Sequence, residues 1–526
     1  MARRPILRNA FTVGAFTALS RVLGMVREVL QAKCIGAGLE QSAFTLAFAI
    51  PNLARKLFGE GELTAACVPV LNGEVESESV EKAARLARSV MTMVLMMLGA
   101  VVLLCMGGLE TVVKFRAELG LKDMHRLSLT IRLVKTLLPY MIFICGAAFG
   151  MGVLNALGRF KASSFMPCLL NVFWIGMLGW ISFFPDMRLD QRIHRVAVAI
   201  LAAGAAQMAF MLWRMREAGV SPRLSFSGWG DGKVRLVWRN IGIAAVGAGA
   251  IQINYMLDQF LAQVASEWAA GVIGYAERLM DLPLGVVGVA FGTVLLPTFA
   301  GLFAKGDVDG AREALGSSVK SMMFVMLPAA AGLFVLAPEI TRAIYERGEF
   351  DAAATVRVSR ALAVYAFGLG FFGLQKSLVP WFQAQNDMKT PLKVSVATVV
   401  LNAVLDILAV FTLPVEWRHV GLAASTVVCA FVGCVLLRAL AERRNGSLGL
   451  GRVAGSLAKM LAASALMAAA VFVAKPAVAS LVEPLPAGTV RSVVSLAALV
   501  ALGMVVYGAA SLLMMRDALS LLRRRR

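Results

Sequence analysis

The chain has 526 residues, of which 59% are hydrophobic and only 16% charged; soluble domains carry about 25% charged residues, so the balance excludes an ordinary soluble enzyme and points to membrane immersion. A net charge of +20 does not make it a nucleic-acid binder, because the Lys and Arg residues sit mostly in short loops between apolar runs, as the positive-inside rule demands of cytoplasmic loops. Seven cysteines (34, 67, 105, 145, 168, 429 and 434) lie almost entirely inside apolar runs with no CxxC or Cys/His zinc spacing, which argues against a disulfide framework or a zinc site.

In chain order, hydropathy predicts about fourteen spanning helices, each near the ~20 residues a hydrocarbon core requires. They cover roughly 9–34, 41–68, 89–109, 129–155, 165–185, 193–214, 237–263, 271–300, 318–338, 358–384, 392–413, 420–441, 453–474 and 492–514. Period-two alternation is absent, so the spans are helices rather than barrel strands. The fold class is therefore an all-α polytopic membrane protein. The first span carries Arg21 and Arg27 and shows no small-residue cleavage site followed by a polar mature region, so it does not read as a cleavable signal. Basic loops such as Arg214 to Arg239 and Arg438 to Arg452, with a tail ending Arg523-Arg524-Arg525-Arg526, place both termini in the cytoplasm. Two loops on the opposite side, near Lys114–Arg126 and Arg342–Arg360, are also basic but hold acids too.

An internal repeat runs through the chain. Glu81-Lys82-Ala83-Ala84-Arg85 and Ser89-Val90 recur as Asp309-Gly310-Ala311-Arg312 and Ser318-Val319, and Asn155-Ala156-Leu157-Gly158-Arg159 finds Gln383-Ala384-Gln385-Asn386-Asp387, at offsets of 227 to 229 residues. Two six-helix halves in one topology put a substrate site between them near the midplane, with access alternating as the halves rock. The expected divisions are an N-terminal lobe (1–216), a cytoplasmic linker (217–236), a C-terminal lobe (237–441), and a last pair of helices with a basic tail (442–526). No GxxxxGK[ST] motif occurs, so an ion gradient, the membrane potential or the substrate's own gradient is the expected energy source.

Charges inside apolar spans mark the candidate site, since each costs about 2.5–3.5 kcal/mol at the midplane and usually faces water or a partner. The first span holds Arg21, Arg27 and Glu28; the second holds Asn52, Arg55 and Lys56 beyond Pro51, followed by Glu60. Pro51 is expected to break its helix and aim Arg55 inward. Guanidinium suits a phosphate or pyrophosphate through bidentate bonds, whereas snorkelling or pairing with Glu28 and Glu60 is the alternative. In the eighth span, Arg278 and Asp281 are i, i+3 neighbours beside Glu277, readable as an intrahelical ion pair or as a further substrate arginine. Asn254 with Asp258 and Asn402 with Asp406 each place two oxygen donors on one helix face. That spacing fits a hard-cation site or ordinary helix–helix hydrogen bonding. The three histidines fall in loops or at helix ends and no catalytic array emerges, so an enzyme is not expected.

The blocks Arg21-Val22-Leu23-Gly24…Arg27, Pro51-Asn52…Arg55…Phe58-Gly59-Glu60-Gly61, Tyr275-Ala276-Glu277-Arg278-Leu279…Pro283, Arg347-Gly348-Glu349-Phe350 and Asp387-Met388-Lys389-Thr390-Pro391 resemble those of the MurJ (MviN) lipid II flippases of the multidrug/oligosaccharidyl-lipid/polysaccharide exporter superfamily. The resemblance runs over most of the chain and is weakest in the last two helices. It implies fourteen helices in two lobes, a lipid-tail groove formed with the last two, and an inner-membrane transporter of undecaprenyl-pyrophosphate-linked peptidoglycan precursor. It further implies that Arg21, Arg27, Asn52, Arg55, Glu60 and Arg278 line the cavity, with Glu60 and Asp281 as functional acids. Some members hold sodium, and Asp258, Asn402 and Asp406, with Thr426 the weaker match, are similar to that pattern. No other cofactor is implied; lipid II, the bilayer and cell-wall synthesis proteins are the implied partners. Where the family has an Asp before Ala43-Phe44 this chain has Ser42, with Glu40 two residues earlier, so a gating role for that Asp does not carry over unless Glu40 takes it. Other readings are a flippase for a different polyprenyl-linked oligosaccharide, a cation-coupled drug exporter (disfavoured by the arginines), and a non-transporting scaffold of wall synthesis.

Overall fold

The computed structural model describes residues 3–58, 80–118, 124–220, 223–226, 230, 232–486 and 488–514. Among them the regular elements are all helices: α1 (Arg3–Ile35), α2 (Leu39–Phe58), α3 (Val80–Glu118), α4 (Met124–Leu137), α5 (Tyr140–Ala156), α6 (Phe160–Ile181), α7 (Leu189–Glu217), α8 (Gly232–Ala265), α9 (Ala269–Ala304), α10 (Val308–Val335), α11 (Ala337–Tyr345), α12 (Ala352–Gln383), α13 (Lys389–Thr412), α14 (Val415–Asn445), α15 (Gly451–Leu481) and α16 (Thr489–Met514). The expected spans fall on these helices, with α4 and α5 sharing the fourth and the ninth running past Val335 into α11, while residues 59–68 of the second lie outside the described residues. Ten helical stretches among the described residues are long and apolar enough to cross a membrane by themselves. Of the helices bearing candidate charges, α1, α2, α8 and α9 are not among the ten, whereas α13, which holds Asp406, is.

Pro51 does not break α2, which continues through it to Phe58. A proline inside a spanning helix removes one donor, and the carbonyl it frees is re-satisfied by packing neighbours or local adjustment, so the helix persists. Pro283 and Pro297 are likewise inside α9.

The chain folds as two compact units, Met1–Gln263 and Val264–Arg526. The first therefore takes in nearly all of α8, which the sequence placed at the start of the C-terminal lobe. Side-chain anchors explain this. Gln263 Nε2 donates to the Ser42 carbonyl, Arg126 donates to Gln263 Oε1 at 2.5 Å, and Lys56 lies 4.8 Å from the Tyr255 ring centroid.

Inside each unit the same pairings recur. In the first, α2 packs on α4 and α5, α3 on α5, α5 on α7, and α6 on α7; in the second, α9 packs on α12, α10 on α12, α12 on α14, and α13 on α14. The repeat extends to a single turn. Gly158 (φ 72°) ends α5, and Asn386 (φ 59°), 228 residues later, follows α12 in the same left-handed conformation. Arg159 N donates to Leu154 O at 2.8 Å and Asp387 N to Phe382 O at 3.0 Å, so both ends close by the same Schellman bond. Asp387 then caps α13 by accepting from Thr390 N (3.0 Å) and Thr390 Oγ1 (2.7 Å). These Thr390 bonds, aided by Arg444, hold its carboxyl below the usual value.

Close helix approach is built from glycine. A Cβ on Gly204 of α7 would lie 2.5 Å from Tyr140 Cδ2, and one on Gly433 of α14 would lie 2.6 Å from Gln375 Nε2. Small residues at such contacts let spanning helices pack where burial from water supplies no force. In the second unit α15 and α16 share the core through Met460, Met467, Leu499 and Tyr507. Tyr507 Oη donates to Phe324 O at 2.8 Å, and Lys475 pairs with Glu339 at 2.8 Å.

Candidate functional site

Arg27 is anchored from several sides. Its side chain is 15% exposed and pairs with Glu28 at 2.6 Å. Nη1 donates to Asn171 Oδ1 on α6 at 3.1 Å, and the guanidinium lies 4.4 Å from the Trp174 ring centroid. The network continues outward. Trp174 Nε1 donates to Gln31 Oε1 at 3.0 Å, Gln31 Nε2 to Gln41 Oε1 at 2.9 Å, and Asn171 Nδ2 to Ser20 O at 3.1 Å. Phe44 and Phe48 stack on each other and meet Trp174 edge-on at 5.5 and 5.6 Å. A charge in this setting is tolerable only because face and edge are both occupied: the indole holds the plane, the amide and carboxylate hold the N–H groups.

Arg55 Nε donates to Asn52 Oδ1 at 2.9 Å, one turn back on α2. The side chain of Arg21 is exposed. Glu60 lies outside the described residues. Ser42 is fully buried and meets α8 through its backbone carbonyl, a bond that requires no carboxylate at this position.

In the second unit Arg278 and Asp281 are exposed on α9, and Tyr365 Oη donates to Glu277 Oε1 at 3.4 Å. On α13, Asp406 is 1% exposed and Asn402 3%. Asn402 Nδ2 donates to Asp406 Oδ2 at 2.8 Å, and Ser425 Oγ donates to Asp406 Oδ1. Thr426 instead donates to Leu422 O at 3.2 Å. In the first unit Asn254 Nδ2 donates to Asp258 Oδ2 at 3.2 Å, and Asn254 Oδ1 is buried without a hydrogen-bond partner. The donor set around Asp406 is all oxygen apart from the amide nitrogen, which suits a hard cation.

Sequence reasoning missed Asn171, Trp174, Gln31, Gln41 and Ser425. A signal existed for the first four: each is a polar or amphipathic side chain inside an apolar span, and such groups need partners in lipid. Which partner each takes depends on the rotation of α6 against α1, and no spacing within one helix encodes that.

Comparison with known proteins bears on this arrangement. Residues 31–484 match the family model described as lipid II flippase MurJ. The probable lipid II flippase MurJ of Rhizobium tropici is 33% identical over 463 residues, covering 88% of this chain and 86% of the relative. That of Rhizobium meliloti (strain 1021) is 31% identical over 530 residues, covering 99% and 96%. The solved structure of a lipid II flippase MurJ in an inward closed conformation matches with a TM-score of 0.75 at 21% identity, over 96% of this chain and 99% of that one. An inward-facing multidrug resistance MATE family transporter of the MOP superfamily matches with a TM-score of 0.66 at 16% identity, over 80% and 94%. At these identities the two structures show the fold.

Proposed function

The chain belongs to the MurJ lipid II flippase family, and on that premise we propose that it carries lipid II from the cytoplasmic to the periplasmic leaflet by alternating access. It is a transporter and not an enzyme.

The observation that carries the reading is Arg27. A permanently charged group, clamped by Trp174, Asn171 and Glu28, is oriented before any ligand arrives. Its planar fork is matched to diphosphate oxygens. An entering pyrophosphate replaces Glu28 at the guanidinium edge, while Trp174 and Asn171 keep the plane fixed. Arg21 and Arg55 add positive charge for the same headgroup, with Asn52 holding Arg55 by its Nε, and Arg278 is proposed as a further substrate arginine of the second unit. Glu60, outside the described residues, and Asp281 are proposed as functional acids.

Sodium is the cation proposed for Asn402 and Asp406 of the second unit. The buried carboxylate with an amide and a hydroxyl against it supports this, and Ser425 is better placed than Thr426 to serve as the hydroxyl. When bound, the ion supplies a positive charge beside a carboxylate that burial disfavours.

The proposed location is the bacterial cytoplasmic membrane with both termini in the cytoplasm. Arg214 and Arg216 at the end of α7, and Arg443 and Arg444 at the end of α14, support it by the positive-inside rule.

The direct test is translocation of headgroup-labelled lipid II by purified protein in liposomes. Arg27→Ala is expected to slow it by at least about tenfold, equivalent to one good charge-assisted contact. Arg27→Lys, which keeps charge but loses the fork, is expected to rescue only part. Wild-type rates in both variants would remove Arg27 from the substrate path. Absence of translocation by the wild-type protein would remove the function itself.

A further inference from the structure

Basic residues at the end of the second unit where α9, α12 and α14 begin are not among the arginines proposed above for the headgroup, and on the topology proposed above the positive-inside rule does not account for them. Arg357 and Arg360 stand one turn apart on α12, hence on one face. Each guanidinium lies over an indole: Arg357 at 4.3 Å from the Trp268 centroid, Arg360 at 4.7 Å from that of Trp417. Beneath them the floor is rigid. His419 is fully buried, its ring meets Trp268 edge-on at 4.8 Å, and its Nε2 is 3.1 Å from Arg357 O. Arg418 closes the side by donating to Ala265 O at 3.2 Å and Leu413 O at 3.1 Å.

Of the neighbouring acids, Glu267 and Glu416 are exposed, and two others are engaged elsewhere. Asp351 caps Ala354 N at 2.7 Å, and Glu346 takes the Thr355 hydroxyl at 2.7 Å and Arg342 at 3.4 Å. Neither Arg357 nor Arg360 forms an ion pair among the described residues. Stacking on an indole satisfies the face of a guanidinium and leaves its in-plane N–H groups for an anion. The ends of α9, α12 and α14 gathered here are N-termini, whose dipoles also favour negative charge. Trp417 is 46% exposed, and tryptophan at a membrane–water boundary sits at headgroup depth.

We propose that Arg357 and Arg360, each stacked on its tryptophan, form a binding site for the phosphate of an anionic phospholipid headgroup. With both termini in the cytoplasm, this end of the unit lies in the outer leaflet. The site depends on the fold of the second unit and not on transport, so it stands or falls apart from the flippase reading. The phosphate of a polyprenyl diphosphate has the same chemistry, and the test separates the two sources.

The full-length protein in detergent is titrated with phosphatidylglycerol, and bound lipid is counted by native mass spectrometry. A parallel titration uses a polyprenyl diphosphate. Arg357→Gln/Arg360→Gln is expected to weaken the tightest phosphatidylglycerol event by about tenfold. Arg360→Gln alone, at an exposed side chain that leaves the buried floor intact, and Trp417→Leu, which keeps both charges, are expected to weaken it by about threefold each. Phosphatidylglycerol binding unchanged in the folded Arg360→Gln and Trp417→Leu proteins overturns the site. A loss confined to the polyprenyl diphosphate overturns the phospholipid assignment and gives the site to the transported class of lipid.

Discussion

Arg27 illustrates how a single residue becomes usable in an apolar bundle. The charge alone would cost about 2.5–3.5 kcal/mol at the midplane, and its hydrogen bonds and indole contact offset that while fixing its direction. Asn171 is the partner that reaches it from another helix. Removing it leaves Arg27 to Glu28 and the Trp174 ring, so Asn171→Ala is expected to reduce lipid II translocation by about tenfold, as loss of a hydrogen bond to a charged group would. The midpoint of thermal unfolding in detergent should move only a few degrees. An unchanged rate would show that the orientation of Arg27 is set without Asn171. Asp406 poses the same problem with the opposite sign, a carboxylate 1% exposed with Asn402 and Ser425 against it. Asp406→Asn keeps the shape and removes the charge. Stimulation of translocation by an imposed sodium gradient should then disappear while the protein still folds; a response equal to wild type would end the case for a cation there.

At the scale of elements, packing depends on a few close approaches that hydropathy does not reveal. Gly204 lets α7 meet the Tyr140 ring of α5, in the same helix pairing that α14 and α12 make in the second unit. A side chain there must displace a ring whose residue is fully buried. Gly204→Val is expected to destabilise by about 1–3 kcal/mol, the usual cost of overpacking, with Gly204→Ala less severe. Thermal unfolding of the purified variants in detergent measures this. Equal stability of both variants with wild type would mean the two helices separate freely. Continuity of α2 through Pro51 belongs to this scale too: proline reads as a break in sequence, but a helix in lipid has no water to take over its carbonyls and so keeps its remaining bonds.

For the whole molecule, the duplication is the organising fact. The same helix pairings occur in both units, and the left-handed residues at Gly158 and Asn386 end equivalent helices. The proposed topology makes a sharp prediction. In a cysteine-free background, Glu349→Cys should react with a membrane-impermeant maleimide added outside, and Lys305→Cys should react only after the membrane is opened. Both side chains are exposed. The reverse pattern would invert the orientation and with it the assignment of Arg357 and Arg360 to the outer leaflet.

Membrane immersion, the all-helical fold, the repeat and the unusual charges at Arg21, Arg27, Arg55 and Arg278 were legible in the sequence by itself. Hydropathy and chain length are properties of single segments, and a charge in an apolar run stands out without any knowledge of its neighbours. Membership in a flippase family was legible in motif blocks for the same reason. The tertiary structure alone decided who meets whom: Arg27 with Asn171 and Trp174, Ser425 rather than Thr426 on Asp406, the Ser42 carbonyl with Gln263, and two arginines laid on two tryptophans. Those contacts depend on the rotation and depth of one helix against another. Side-chain packing between segments far apart in the chain sets both, and periodicity within a segment carries no record of it.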